Sequence, residues 1–393
     1  MIEMIESLTI YNFGPIKSAT LSINKYSVFI GPQASGKSTV AKLLSIFRDL
    51  EFLIDENRDF KKILGDYNIG NYLHENTLIE YDSHNTKISY FDSELKVKIK
   101  DDFGKVIESE KQRVEKFITE FVETRQLAPD ATTSKDTINK LYDSSWKRLF
   151  SINTEQVYIP AERMLLSLVS ENPFSLFKNF ALPNCITQFG LKYEEAKNRL
   201  SEFKIDFLNV TFKNEDGKQR LYLDNNASID LSESASGFQS IIPSILVLES
   251  ESRTRDNSSF IIEEPELNLY PSTQKNFMSF LISKVTSQHH INSNRNLIVT
   301  THSPYILSIL NNFMFAYFVF TKQQSMRQGI EPIIPMNNWI NPEHFSAFHF
   351  ANGEVKSIID PKTKLIYENE LDNISIDLKG ERDQLLGLYK QVL

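Results

Sequence analysis

The segment Gly31-Pro32-Gln33-Ala34-Ser35-Gly36-Lys37-Ser38, followed by Thr39, has the residue types and spacing of a loop built to hold phosphates. Gly31 and Gly36 permit backbone conformations that aim successive N–H groups at anionic oxygens. Lys37 supplies a cation for the β and γ phosphates of a nucleotide, and the Ser38 hydroxyl can hold Mg2+. Such a loop needs a strand before it and a helix after it. Tyr26 to Ile30 reads as a buried strand, and Val40, Leu43, Leu44 and Phe47 give Thr39 to Asp49 helical spacing.

Two further clusters follow apolar strands. In Ser259-Phe260-Ile261-Ile262-Glu263-Glu264-Pro265-Glu266 the strand runs directly into carboxylates, where Mg2+ needs an acidic ligand and an attacking water needs a base. Glu263 is assigned to the metal through its water shell, and Glu264 to polarising the water. A solvated acidic turn is the bland alternative, and the phosphate loop argues against it. Thr300-Thr301-His302-Ser303-Pro304 follows Leu297, Ile298 and Val299. There a neutral imidazole could hydrogen-bond a γ-phosphate or the lytic water. A fourth cluster, Ser232-Glu233-Ser234-Ala235-Ser236-Gly237-Phe238-Gln239, precedes a helix whose N-terminus could bind an anion, although a plain helix cap reads as well.

The elements that must position these groups are partly visible. Leu8 to Tyr11 and Ala19 to Ile23 read as strands joined by Gly14-Pro15. Residues 51–154 read as an insertion, with strands at Thr77 to Tyr81, Lys87 to Phe91 and Leu95 to Ile99. An amphipathic helix follows, with Phe103, Val106, Ile107, Val114, Phe117, Ile118 and Phe121 on one face, and packing against the insertion's own sheet is its expected use. The core resumes at Val157 to Ile159. Residues 164–204 look helical and could form a lobe, and Asp216-Gly217 marks a hairpin. Helices are expected over Gly237 to Leu248, Pro271 to Val285 and Tyr305 to Leu310.

Composition sets the frame: 393 residues, 41% hydrophobic and 24% charged, with 43 basic against 51 acidic residues. The net charge of -8 argues against a surface devoted to DNA and leaves a local basic groove possible. The single cysteine, Cys185, excludes an intrachain disulfide framework and fits a reducing cytosol. Apolar runs such as Phe313 to Phe320 are short for a bilayer, and the N-terminus does not look like a signal peptide. A cytoplasmic protein without a membrane partner is the expectation.

In its order of motifs the chain resembles ABC-type ATPases of the SMC/RecF/OLD-like branch, and within it bacterial AAA-type ATP-binding proteins bearing Glu-Glu-Pro-Glu and Thr-His-Ser-Pro. The resemblance covers about 1–50 and 155–312. It implies an α/β fold: an ABC-type P-loop core over 1–50 and 155–393, with a mixed sheet flanked by helices, a helical lobe near 164–204 and the 51–154 insertion. ATP and Mg2+ are the implied cofactors. Glu264 matches the catalytic glutamate and His302 the switch histidine, acting with Lys37. Ser236, Gly237 and Gln239 match the end of a signature that closes on the γ-phosphate held by another subunit, which implies a homo-oligomer of ATP-sandwiched dimers. Ala235 and Phe238 depart from that signature. Asn268 lies where the family's D-loop nears the facing subunit. Gln156 and Gln188 are candidates for the Q-loop glutamine, with Arg163 as the alternative that senses phosphate.

OLD-type chains carry a metal-dependent nuclease, but 303–393 contains Asp360, Asp372, Asp377 and Asp383 without an Asp-x-Asp pair, so no nuclease is expected here. His344 and His349 read as structural. Compact ATPases of this kind resemble the ATPase subunits of PARIS- and Septu-type anti-phage systems, which implies a separate nuclease or toxin as effector. A RecF-like repair ATPase stimulated by DNA and an ATP-stabilised scaffold are the rivals.

Overall fold

The computed structural model describes residues 6–124, 155–168, 182–215, 217–224, 227–254, 258–286 and 295–367. In the first part of the chain, β1 (Glu6–Phe13), β2 (Ile16–Ile23) and β3 (Tyr26–Ile30) lead through the glycine loop into α1 (Lys37–Phe47). Two short helices follow, α2 (Leu50–Ile54) and α3 (Phe60–Asp66). Each is capped by an aspartate, Asp49 or Asp59, whose side chain accepts an N–H of the first turn. Next come β4 (Leu73–Asp82), β5 (Thr86–Phe91), β6 (Glu94–Ile99) and α4 (Asp101–Thr124).

The later elements are β7 (Glu155–Ile159), α5 (Met164–Leu168), α6 (Asn184–Arg199) and four short strands, β8 (Glu202–Ile205), β9 (Val210–Glu215), β10 (Lys218–Leu223) and β11 (Ser228–Asp230). Then follow α7 (Ser236–Thr254), β12 (Ser258–Glu263), α8 (Pro271–Thr286), β13 (Asn296–Thr301), α9 (Pro304–Lys322), β14 (Phe345–Ala351) and β15 (Glu354–Ser357). Among the described residues, eleven strands make one mixed sheet in the order β6-β5-β4-β1-β2-β15-β14-β3-β13-β12-β7, and β11-β10-β9-β8 make a second, smaller one. β3, β13, β12 and β7 run parallel side by side, so their C-terminal ends share one edge. The α/β fold with a large mixed sheet flanked by helices is the one expected from the sequence.

Strand alternation divides the core into two layers. Val28, Phe260, Ile262, Leu297 and Val299 point to the face covered by α6, α7, α8 and α9. Phe29, Ile261 and Ile298 point to the face covered by α1, α2 and α3. β4–β6, read from the sequence as part of an insertion, join the main sheet through β4, whose Ile79 and Tyr81 pair with Ile10 and Leu8. Helix α4 spans the expected stripe, but the side chains of Val106, Val114, Phe117, Ile118 and Phe121 lie outside the described residues. Phe103 packs against the α1 layer. From the 164–204 segment, α6 buries Phe189, Tyr193 and Ala196 in the main core, while 169–181 lie outside the described residues.

Four elements differ from expectation. Helix α9 continues from Leu310 to Lys322, because Ile306, Leu307, Leu310, Phe313 and Met314 keep one buried stripe. It is the one described helix long and apolar enough to cross a membrane, yet that stripe sits in the core. Helix α7 runs through Pro243 to Thr254. Pro243 cannot donate to the Gln239 carbonyl, which instead accepts the Ser167 hydroxyl at 2.8 Å. β14 and β15, which carry no motif, insert between β2 and β3.

The core also holds a carboxyl whose titration is coupled to folding. Glu251 of α7 is 3% exposed, and burial raises its pKa from 4.5 to about 7, opposed by Arg199 and reinforced by Glu195. Between those values the folded state keeps a proton that the unfolded chain releases. Stability is therefore expected to fall as pH rises through that window, by on the order of 3 kcal/mol in all. Apparent melting temperatures measured from about pH 5 to about pH 8 should decline for the native chain and stay flatter for Glu251→Gln.

Candidate functional site

The shared strand edge assembles the site. Ile30 pairs with Thr301 and Thr300 with Glu263, so the glycine loop, the histidine turn and the carboxylates leave adjacent strands at the same level. In the loop, Gly31 has φ +152° and Gly36 φ +104°. A Cβ at Gly31 would overlap the Phe350 carbonyl oxygen, and one at Gly36 would lie 2.7 Å from Ile16 Cγ1. Both positions need glycine for space and for conformation. Ala34 also has a positive φ, +58°, which nothing in its residue type announces. Pro32, Gln33 and Ala34 are exposed, Ser35 and Ser38 half-buried, and Thr39 buried at the start of α1.

Lys37 is 5% exposed, and its Nζ donates to the carbonyls of Gly31 and Pro32, each at 2.9 Å. Burial lowers its pKa, and the charges of Glu264, Glu266 and Glu263 work against that. Lys37 Nζ lies 3.3 Å from His302 Nε2, and the same Nε2 lies 3.3 Å from Glu264 Oε1. Ammonium, imidazole and carboxylate, from three separate motifs, thus meet at one point.

Glu263 is 4% exposed at the end of β12. Burial raises its pKa, while the hydroxyls of Tyr158 and Ser38 and the charge of Lys42 oppose the rise. Its Oε2 faces the Ala161 N–H at 3.4 Å, and its buried Oε1 completes no hydrogen bond. An oxygen of this kind beside Ser38 suits a hydrated Mg2+, which takes one or two protein ligands together with substrate phosphates. Among the described residues no group of three or more His, Cys, Asp or Glu could hold a metal ion unaided.

Glu264 sits at φ +43°, a left-handed conformation that costs a non-glycine residue about 1–3 kcal/mol. Its N–H donates to Thr300 O at 2.8 Å. Arg163 completes the restraint. Its guanidinium, 1% exposed, donates to the carbonyls of Glu263 and Glu264 at 2.6 Å and to those of Pro160 and Ser240 at 3.1 Å. A role in sensing phosphate is therefore corrected: these donors are consumed by main chain. Neither glutamine candidate reaches the loop. Gln156 pairs with Ser259 toward the opposite end of β7 and donates to its carbonyl at 2.9 Å. Gln188 is exposed on α6, 3.4 Å from Asn184 Oδ1.

At the start of α7, Ser236 is exposed and Gly237 half-buried. Gln239 is buried, and its amide donates to Ser232 O and Ser234 O, each at 2.8 Å, so it shapes its own loop. Space for a Cβ at Gly237 is closed by Asn268 O at 3.0 Å. This brings the α7 terminus against the 264–270 loop, where Asn268 itself has φ +61°. Sequence reading missed Tyr158, the left-handed conformation at Ala34, the clamp at Arg163 and the contacts of Glu266, although Glu266 stood within the acidic motif.

A phosphate-type loop at the edge of a parallel sheet, facing carboxylates and a histidine, defines a nucleotide-binding site of the P-loop class. Residues 4–172 and 166–307 match the family model AAA_15, AAA ATPase domain, and the chain belongs to that family. No curated protein is similar enough to count as a relative. Among solved structures the chain is similar to the Smc head domain with an extended coiled coil bound to the C-terminal domain of ScpA, from Pyrococcus furiosus. That match has 10% identity and TM-score 0.40, covering 90% of this chain and 95% of that one. It is also similar to the SMC head domain from Thermotoga maritima, at 9% identity and TM-score 0.40, covering 91% and 98%.

Arg163→Met should remove four hydrogen bonds to main-chain carbonyls, of which Glu264 O keeps the Leu267 N–H at 3.0 Å. The expected loss is at least about 3 kcal/mol of stability, read as a lowered unfolding midpoint in denaturant. An unchanged midpoint would mean that the clamp adds nothing.

Proposed function

We propose that the chain is an ABC-type ATPase that binds Mg-ATP at Gly31–Thr39, hydrolyses it within a head-to-head homodimer, and regulates a separate effector, a nuclease or toxin, in anti-phage defence. The observation that carries the ATPase reading is the meeting of Lys37, His302 and Glu264 at contacts of 3.3 Å. Loop N–H groups bind the phosphates, and Lys37 exchanges the carbonyls of Gly31 and Pro32 for phosphate oxygens. Glu264 accepts a hydrogen bond from the attacking water and orients it, the role a carboxylate serves in phosphoryl transfer. His302, beside both, orients the γ-phosphate or the water. Ser38 and Glu263 would hold Mg2+, which supplies neutralisation of the phosphate charge when bound.

Ser236 and Gly237 stand at an accessible helix N-terminus, a setting that suits an anion presented by a second copy. Gln239 contributes by holding that loop in shape. Support for defence is the resemblance of the motif order to ATPase subunits of two-component systems, and the effector acts in trans.

Lys37→Ala is expected to weaken ATP binding by about 100-fold or more, measured by calorimetry. Glu264→Gln should bind ATP yet hydrolyse it about 100- to 10,000-fold more slowly, and accumulate as an ATP-bound dimer in light scattering. Wild-type turnover by that variant would remove Glu264 from the chemistry. In cells, deletion of the neighbouring gene should abolish phage protection while purified ATPase activity persists. Turnover that depends strongly on duplex DNA would instead support a repair enzyme.

A further inference from the structure

The loop after β12 and the turn after β13 are bound to each other by two side chains outside the chemistry described above. Glu266 Oε1 accepts from Thr301 Oγ1 at 2.8 Å and from the His302 N–H at 2.7 Å. Gln274, buried in the first turn of α8, accepts from Ser303 Oγ at 2.9 Å and donates to Leu269 O at 3.0 Å. Thr301 Oγ1 in turn accepts from the Ser303 N–H at 2.9 Å. Three successive residues of the turn are thereby tied to one loop.

This arrangement bears directly on the imidazole. A hydroxyl and a main-chain N–H converging on one carboxylate oxygen fix both the position and the direction of the backbone that carries His302. Only the two side-chain torsions of the histidine then remain. Charge-assisted bonds of this kind are stronger than neutral ones. Apart from its charge, which acts on Lys37, Glu266 meets the imidazole through the main chain: its hydrogen bonds go to the Thr301 hydroxyl and the His302 N–H. The same loop lies against the start of α7, where Asn268 O closes the space beside Gly237.

We propose that Glu266 is a positioning residue that holds His302 between Lys37 and Glu264 and makes the 264–270 loop and the 301–303 turn move as one piece. A displacement at the α7 terminus is then felt at the histidine. The kinetic consequence rests on the ATPase reading, whereas the placement of the imidazole does not.

The test compares Glu266→Ala, Glu266→Gln and Thr301→Val in the full chain. Misplacing a catalytic group by about 1 Å costs about 100-fold. Glu266→Ala is expected to lower kcat by about 10- to 100-fold with the dissociation constant for a non-hydrolysable ATP analogue changed less than about twofold. Glu266→Gln, whose amide oxygen can accept both bonds, should restore most of the turnover, and Thr301→Val should fall between. Independently of turnover, the 15N imidazole signals of His302, assigned by their loss in His302→Ala, should match wild type in Glu266→Gln and move or broaden in Glu266→Ala. Equal loss in the alanine and glutamine variants would overturn the proposal, because acceptor geometry would then not be what matters. Unchanged His302 signals in Glu266→Ala would overturn it as well. A wild-type protein without ATP turnover would sink the ATPase reading while the imidazole spectra still decide the role of Glu266. Should Glu266→Ala fail to fold, the signals of Thr301→Val decide it: displaced signals support the proposal and unmoved ones overturn it.

Discussion

The guanidinium of Arg163 is the constraint on which the site depends. Taking it out of water is costly, and hydrogen bonds to four main-chain carbonyls at the strand edge offset that cost. Two of these belong to Glu263 and Glu264, one to the end of β7 and one to α7. The planar fork fixes their relative directions as a point charge could not. The carboxylates of Glu263 and Glu264 are thereby held at the end of β12, and the left-handed conformation at Glu264 is sustained.

Around that clamp the electrostatics balance closely. Burial disfavours the charged forms of Lys37 and Glu263 alike. Each is kept within reach of opposite charge, Lys37 by three glutamates and Glu263 by Lys42. The loop's own carbonyls, of Gly31 and Pro32, also accept from the lysine.

Much of this was legible in the sequence because strand, loop and helix are local events. The β3 strand, the glycine loop and α1 fall where apolar spacing and glycine place them, and the carboxylates and histidine sit at the expected strand ends. What was not legible depends on contacts between distant segments. Arg163 looked free to meet phosphate because no local pattern reveals four carbonyls arriving from β7, β12 and α7. Gln156 looked plausible by interval alone, yet strand direction puts it at the far end of β7. The extra length of α9 was hidden because Phe313 to Phe320 reads equally as a strand. Glu266 was visible as a residue type, but its partners lie beyond the next helix.

The placement of β14 has a consequence for how the chain is made. Strand β3, which launches the phosphate loop, has as its two neighbours β13 and β14, both encoded in the last third of the sequence. During synthesis the segment bearing Lys37 emerges early with both edges of its strand bare. It gains its lateral partners only once residues 345–351 have left the ribosome, and Phe350 then closes over Gly31. Long-range closure of this sort makes folding slow. It also means that competence to receive a nucleotide is conferred late, by a stretch of chain that carries none of the recognisable motifs.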